Sequence, residues 1–198
     1  MNKREVLIFC IFIIGIISFY FDNFIVKQVS LIRNFYLNQF FLGMTFLSSA
    51  VIIFFILTSL FLFQERKRKW IFPLWFTLGI SVLINILLKN IFQRTRPFQQ
   101  EIVAIGGNLI ETGFSFPSSH AVIVFSALPI LSKEFPRFKY FWIVLASLVG
   151  FSRVYFGVHF LSDVIFGGLI GYIIGFGILK LEEKNGFGEK VYRMIFGK

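Results

Sequence analysis

Two residues four apart, His159 and Asp163, stand at the head of an otherwise apolar stretch that runs on to Gly175. If that stretch is helical, the two side chains share a face. The carboxylate can then accept the proton of one ring nitrogen and leave the other nitrogen bare, as an imidazole requires to act as nucleophile or base. Ionisable groups are costly in a lipid-facing chain and mark function there by default. Lys89, Arg96 and Arg153 add three positive charges with only Asp163 placed among them. Without a counter-ion such a cluster would repel and lose hydration, so an anion is expected. The turn at Pro117 supplies a helix start, whose free N–H groups and dipole favour phosphate. Arginine offers phosphate a bidentate fork and lysine a point charge. His120, just inside that helix start, would be either a proton donor to a leaving oxygen or only a cap. A metal site of His120, His159 and Asp163 is possible in ligand type, but three neighbouring cations oppose a metal and suit a phosphate.

The elements that carry these residues are apolar helices. Hydrophobic residues make up 57% of the 198 and charged residues 15%, with a mean hydropathy of +0.79, a membrane composition. The net charge of +10 lies mostly in short connections between apolar runs. That distribution suits anionic headgroups and argues against nucleic acid as partner. A lone cysteine, Cys10, allows neither an internal disulfide nor a structural zinc site. Six spans are expected: Val6–Phe21, Phe40–Phe63, Trp70–Ile91, Ala121–Leu131, Phe141–Phe156 and Phe160–Leu179. They form one all-α bundle over residues 1–198. Asn23–Gln39 is either an amphipathic helix along the outer interface or an extension of its neighbours. The "QERKRK" turn, Gln64 to Lys69, reads as a topological anchor, and residues 180–198 as a polar cytoplasmic tail. Gly167, Gly171 and Gly175 repeat a spacing that lets membrane helices approach closely.

With both termini inside, fourteen Lys and Arg residues fall on the cytoplasmic side and six outside, in keeping with the positive-inside bias. This topology puts Lys89, Arg96, Ser119, His120, Arg153 and His159 at one depth on the outer face of a plasma membrane. Among the outer cations, interfacial anchoring weighs most at Arg94.

Three motifs span residues 89–163: "KNIFQRTRP", Lys89 to Pro97; "PSSH", Pro117 to His120; and "SRVYFGVHFLSD", Ser152 to Asp163. In order and spacing they resemble the type 2 phosphatidic acid phosphatases (PAP2), which share a core with vanadium haloperoxidases. The resemblance implies that His159 attacks phosphorus to give a phosphohistidine, with Asp163 fixing its tautomer. It implies that His120 protonates the leaving group and then activates water. Lys89, Arg96 and Arg153, with Ser118 and the N–H of Ser119, would hold the phosphate oxygens. No cofactor or metal is implied. Ser119 replaces the family glycine, which puts rate or substrate in question and not the reaction class. A vanadate-dependent oxidation is disfavoured because that branch is soluble.

A non-enzymatic anion transporter or lipid-binding protein is the remote alternative. A transporter would be expected to show broken helices and a midplane site; a dead scaffold would be expected to lack one of His120, His159 or Asp163. The expected reaction is metal-independent hydrolysis of a lipid phosphate. Undecaprenyl diphosphate ranks first as substrate, with phosphatidate or phosphatidylglycerophosphate as the alternative. The sequence carries no signal for oligomeric state.

Overall fold

The computed structural model describes residues 3–47, 56, 60, 65–106 and 112–196. It is all-helical, with no strand among the described residues. Helix α1 spans Lys3–Leu31 and α2 spans Phe35–Leu47. A 3-10 turn at Glu65–Trp70 leads into α3, Ile71–Phe92. Then follow α4, Ser119–Glu134; a 3-10 turn at Pro136–Phe138; and α5, Lys139–Tyr155. Helix α6, Leu161–Asn185, and α7, Phe187–Phe196, complete the order.

Local chemistry sets several of these limits. Asn34 caps α2, its Oδ1 accepting the Leu37 N–H at 3.0 Å, so one orphan donor of the helix start is satisfied. Gly186, at φ +58°, closes α6 in the left-handed conformation, where glycine carries no Cβ penalty. The buried carboxylate of Glu182 then accepts the Gly188 N–H at 2.7 Å and fixes the start of α7. The expected polar tail is therefore largely helix.

Asn23–Gln39 resolves as an extension of its neighbours: α1 continues through it to Leu31, and α2 takes over at Phe35. Two of its polar residues, Arg33 and Asn38, reach across to α5 and the loop after α3. Arg33 donates through Nε to Tyr155 O at 2.7 Å and through Nη1 to Ala104 O at 2.8 Å. Tyr155 in turn donates its hydroxyl to Asn38 Oδ1 at 2.8 Å.

Among the described residues three helices are long and apolar enough to cross a membrane, Glu5–Leu31, Arg68–Phe92 and Leu161–Asn185, where six spans were expected. The difference has a physical cause. Helices α4 and α5, with 16 and 17 residues, rise about 24–26 Å and fall short of a hydrocarbon core of about 30 Å. Most of the expected second span, beyond Leu47, lies outside the described residues.

Helix α6 is the centre of the bundle, in contact with α1, α3, α4 and α5. Its tightest neighbour is α4, and the glycine stripe explains the closeness. A Cβ at Gly171 would stand 2.1 Å from Val122 O, and one at Gly175 1.9 Å from Ser126 O. Gly167 meets the backbone of Ser118 in the same way, so the stripe that packs the helices also presses the head of α4 against α6. Ile71, Leu74 and Leu78 of α3 join Ile123, Ile130 and Leu131 of α4 in one core cluster. At the other end Val26, Ala121, Val154, Phe160 and Val164 close a second cluster beneath the polar residues.

Candidate active site

The end of α3, the start of α4, the end of α5 and the start of α6 meet at one end of the bundle. Backbone and side-chain bonds tie these termini together. Ser118 N donates to Asp163 O at 3.1 Å, Asn85 Nδ2 to Pro117 O at 3.2 Å, and His159 N to Arg153 O at 3.2 Å. The segment after α3 folds back over the site, with Ser115 N donating to Arg94 O at 2.7 Å and Gly106 N to Phe156 O at 2.8 Å.

His159 lies in the connection from α5 to α6 and is 1% exposed. Its Nε2 is 3.3 Å from Arg96 Nη1. Because a guanidinium only donates, Nε2 is the bare nitrogen and the ring proton sits on Nδ1. Nδ1 lies 3.3 Å from Ser115 Oγ, which donates to Asp163 Oδ2 at 2.5 Å. Nδ1 and Asp163 Oδ2 face each other at 3.6 Å, beyond hydrogen-bond distance. The expected pair thus exists, but its hydrogen bond passes through Ser115. Burial, followed by the fields of Arg96, Arg153 and Lys89, holds the His159 pKa well below the ordinary imidazole value. The ring is neutral, with its lone pair on the nitrogen that faces the cations.

Asp163 is fully buried and its acceptor capacity is engaged. Oδ2 also takes the Phe160 N–H at 2.9 Å, and Oδ1 takes Arg94 Nη1 at 2.7 Å. Arg94, expected as a headgroup anchor, is instead bound to the carboxylate behind the histidine. The same Nη1 donates to Ser162 Oγ at 2.7 Å, and Nη2 donates to Asp22 Oδ2 at 2.8 Å.

Lys89 donates through Nζ to Phe114 O and, at 3.4 Å, to Ser115 O. Arg96 is 3% exposed; Nε donates to Gly113 O, Nη1 to Val158 O and Nη2 to Thr112 O, each at 3.0 Å. Burial lowers the Arg96 pKa from its ordinary value and Asp163 opposes that shift. Arg153 is buried and reaches Thr45 Oγ1 at 3.3 Å, a contact that brings α2 to the site. Ser118 is fully buried, and its Oγ has no hydrogen-bond partner among the described residues. Ser119 turns its hydroxyl away to Asn85 Oδ1 at 2.7 Å. The serine in place of the family glycine therefore links α4 to α3 and adds no hydroxyl of its own to the phosphate donors. His120 follows it, partly exposed in the first turn of α4.

Every residue that sequence reasoning assigned to the site is at this end of the bundle. Missed were Ser115, Ser162, Asp22 and the role of Arg94. Four cations, Lys89, Arg94, Arg96 and Arg153, face two carboxylates, Asp22 and Asp163, around a neutral imidazole. The excess of positive charge and the N–H groups at the head of α4 suit a phosphoryl group.

Comparison with known proteins agrees with this chemistry. A family model described as the PAP2 superfamily matches residues 70–187, more than half of the chain. Phosphatidylglycerophosphatase B of Bacillus subtilis (strain 168) is 33% identical over 176 residues, 82% of this chain and 84% of the relative. An undecaprenyl-diphosphatase of Sulfolobus acidocaldarius is 33% identical over 141 residues, 70% of this chain and 67% of the relative. Among solved structures, the transmembrane PAP2-type phosphatidylglycerolphosphate phosphatase of Bacillus subtilis superposes with a TM-score of 0.72 at 26% identity. The match covers 90% of this chain and 96% of that one.

Proposed function

The chain belongs to the PAP2 superfamily, and from that premise we propose that it hydrolyses lipid phosphates and diphosphates through a phosphohistidine on His159, without a metal. The observation that carries this reading is the buried His159 ring, with Nε2 3.3 Å from Arg96 Nη1 and Nδ1 3.3 Å from Ser115 Oγ, which donates to Asp163. Nε2 attacks phosphorus, the bond to the leaving oxygen breaks, and His120 gives that oxygen a proton. His120 then takes a proton from water, which attacks phosphorus and releases His159. Lys89, Arg96, Arg153, Ser118 and the Ser119 N–H stabilise the transferring oxygens. Phosphoryl transfer asks chiefly for such positioning and charge stabilisation.

The substrate ranked first is undecaprenyl diphosphate, with phosphatidate and phosphatidylglycerophosphate as runners-up. The described parts of the loop after α3, residues 93–106 and 112–118, are tied onto the site by Arg96, Ser115 and Gly106. Such a compact cover suits recognition by phosphate and an apolar tail. Relatives bearing both kinds of name are equally similar in identity, so the ranking rests on this economy. Rates for the three lipids in identical mixed micelles, with and without EDTA, test it. Highest kcat/KM for the diphosphate, unchanged by EDTA, is expected. A tenfold preference for either glycerolipid, about 1.4 kcal/mol in the transition state, would reverse the ranking.

In this reading the bundle crosses a plasma membrane six times, local thinning of the bilayer accommodating the short α4 and α5, with both termini cytoplasmic and the site outside. The basic turn before α3, Lys133 and Lys180 all lie at the end away from His159, as the positive-inside bias favours. In a Cys10→Ala background, a membrane-impermeant thiol reagent is expected to label Gln100→Cys in intact cells. Lys184→Cys is expected to react only after permeabilisation. The opposite pattern would move the site to the cytoplasm.

A further inference from the structure

Asp22 lies in α1, far outside the residues 70–187 that match the family model, and is 2% exposed. An aspartate at that depth of an apolar helix is costly unless it is paired. Its pairing is complete: Oδ2 accepts Arg94 Nη2 at 2.8 Å and the Ser162 hydroxyl, and Oδ1 accepts the Ser162 N–H at 3.0 Å. The other arm of Arg94 holds Asp163 Oδ1 at 2.7 Å. The guanidinium carbon sits 4.1 Å from the centre of the Phe160 ring and 4.9 Å from that of Phe19, so two aromatic rings help to fix the fork.

The consequence is electrostatic. When His159 Nε2 forms its bond to phosphorus and the leaving-group bond breaks, the ring keeps its Nδ1 proton and becomes positive. Asp163, acting through Ser115, is the carboxylate that faces this charge. Arg94 alone against Asp163 would lock the carboxylate in place but cancel its charge. Asp22 adds a second carboxylate on the far side of Arg94, and the three groups together carry one net negative charge.

We propose that Asp22 is a positioning residue for the nucleophile: it balances Arg94, so that Asp163 is immobilised by that arginine yet still presents a net negative charge to His159. Helix α1 thereby becomes part of the catalytic machinery. This inference rests on His159 being the nucleophile.

The test compares parent, Asp22→Asn, Asp22→Glu, Arg94→Gln and the Asp22→Asn/Arg94→Gln pair, purified in detergent. It reads kcat and KM on phosphatidate and on a polyprenyl diphosphate, the rate of covalent phosphoenzyme formation, and Tm. Asp22→Asn is expected to lower kcat and the phosphorylation rate about 10- to 100-fold with KM within about threefold, an effect confined to the transition state. Asp22→Glu, which keeps the charge, is expected to fall less. The pair is expected to exceed Asp22→Asn by about tenfold, because removing Arg94 restores the net negative charge; such non-additivity reports coupling. A kcat for Asp22→Asn within about twofold of the parent, with or without a lower Tm, would overturn the proposal. So would a pair no faster than its slower single variant. An Asp22→Asn protein that fails to fold, beside an inactive pair, would assign Asp22 a purely structural role and overturn it too. Failure of the parent to form a phosphohistidine would instead sink the assignment of His159 and is scored separately.

Discussion

His159→Ala protein is expected to fold and to hydrolyse lipid phosphate at least about 10⁴-fold more slowly than the parent, as loss of a nucleophile does when binding and charge stabilisation survive. The size follows from what remains. Lys89, Arg96 and Arg153 would still bind phosphate, so KM is expected to change little, but the nitrogen that faces Arg96 at 3.3 Å is gone. Brief reaction with a labelled lipid phosphate should leave phosphate on the parent as an acid-labile, alkali-stable adduct and none on the variant. A variant that turns over near the parental rate, or a parent labelled at another residue, would remove His159 from its role. The pH profile adds an independent check. Burial and three cations depress the His159 pKa, so the basic form persists as pH falls through the ordinary imidazole value of about 6.5. Protonation of His159 should therefore limit kcat/KM only well below that value. An acid limb near 6.5, the same for substrates whose phosphates ionise differently, would contradict a buried neutral ring.

Lys89, Arg96, His120, Arg153, His159 and Asp163 were legible because each stands in a short motif at a helix end, where spacing alone limits its direction. The support behind them was not. Asp22 and Ser162 are 140 residues apart in the chain, and no local periodicity links the one to the other. Asp22 stands just past the expected first span, where nothing local marks it as buried; only the extension of α1 through it and the packing of α1 on α6 reveal Arg94 as its partner. Arg94 itself reads equally well as an anchor in headgroups until its two carboxylates are seen. Ser115 was closer to hand, two residues before Pro117. The helical geometry of His159 and Asp163 suggested direct contact, yet His159 precedes the first residue of α6, so the i to i+4 spacing on a continuous helix does not apply. The same start lets the Asp163 carboxylate turn back onto the Phe160 N–H. The glycine stripe was correctly placed as a packing device, but its link to the site, through the Ser118 backbone against Gly167, needed the register of α4. Of the two readings of Asn23–Gln39, extension of the neighbouring helices is the one found, and what the sequence could not show is that Arg33 and Asn38 bind around Tyr155.

His120→Ala is expected to divide substrates by their leaving groups. General acid catalysis contributes about 10²–10⁴-fold where the departing oxygen is a poor leaving group. Phosphatidate and phosphatidylglycerophosphate expel such a lipid alcohol; an activated aryl phosphate expels an oxygen that departs largely unaided, and a polyprenyl diphosphate lies between them. His120 is held by the first turn of α4, next to Ser118 and Ser119, where burial and then the fields of Arg96 and Lys89 push its pKa down to about 4. It therefore takes up its proton only when the anionic phosphate enters beside it and offsets those cations. Removing it leaves His159, Ser115 and Asp163 intact, so attack on phosphorus survives when the leaving group needs no proton. The appropriate quantity is kcat/KM, which reports steps through the first irreversible one and is blind to slow hydrolysis of the phosphoenzyme. For His120→Ala it should fall about 10²–10⁴-fold on phosphatidate and less than about tenfold on an activated aryl phosphate. The aryl substrate should also show a burst of released alcohol followed by slow turnover, because water then attacks the phosphohistidine without a base. Equal losses in kcat/KM on both substrates, with no burst, would mean that His120 positions phosphate and does not deliver the proton.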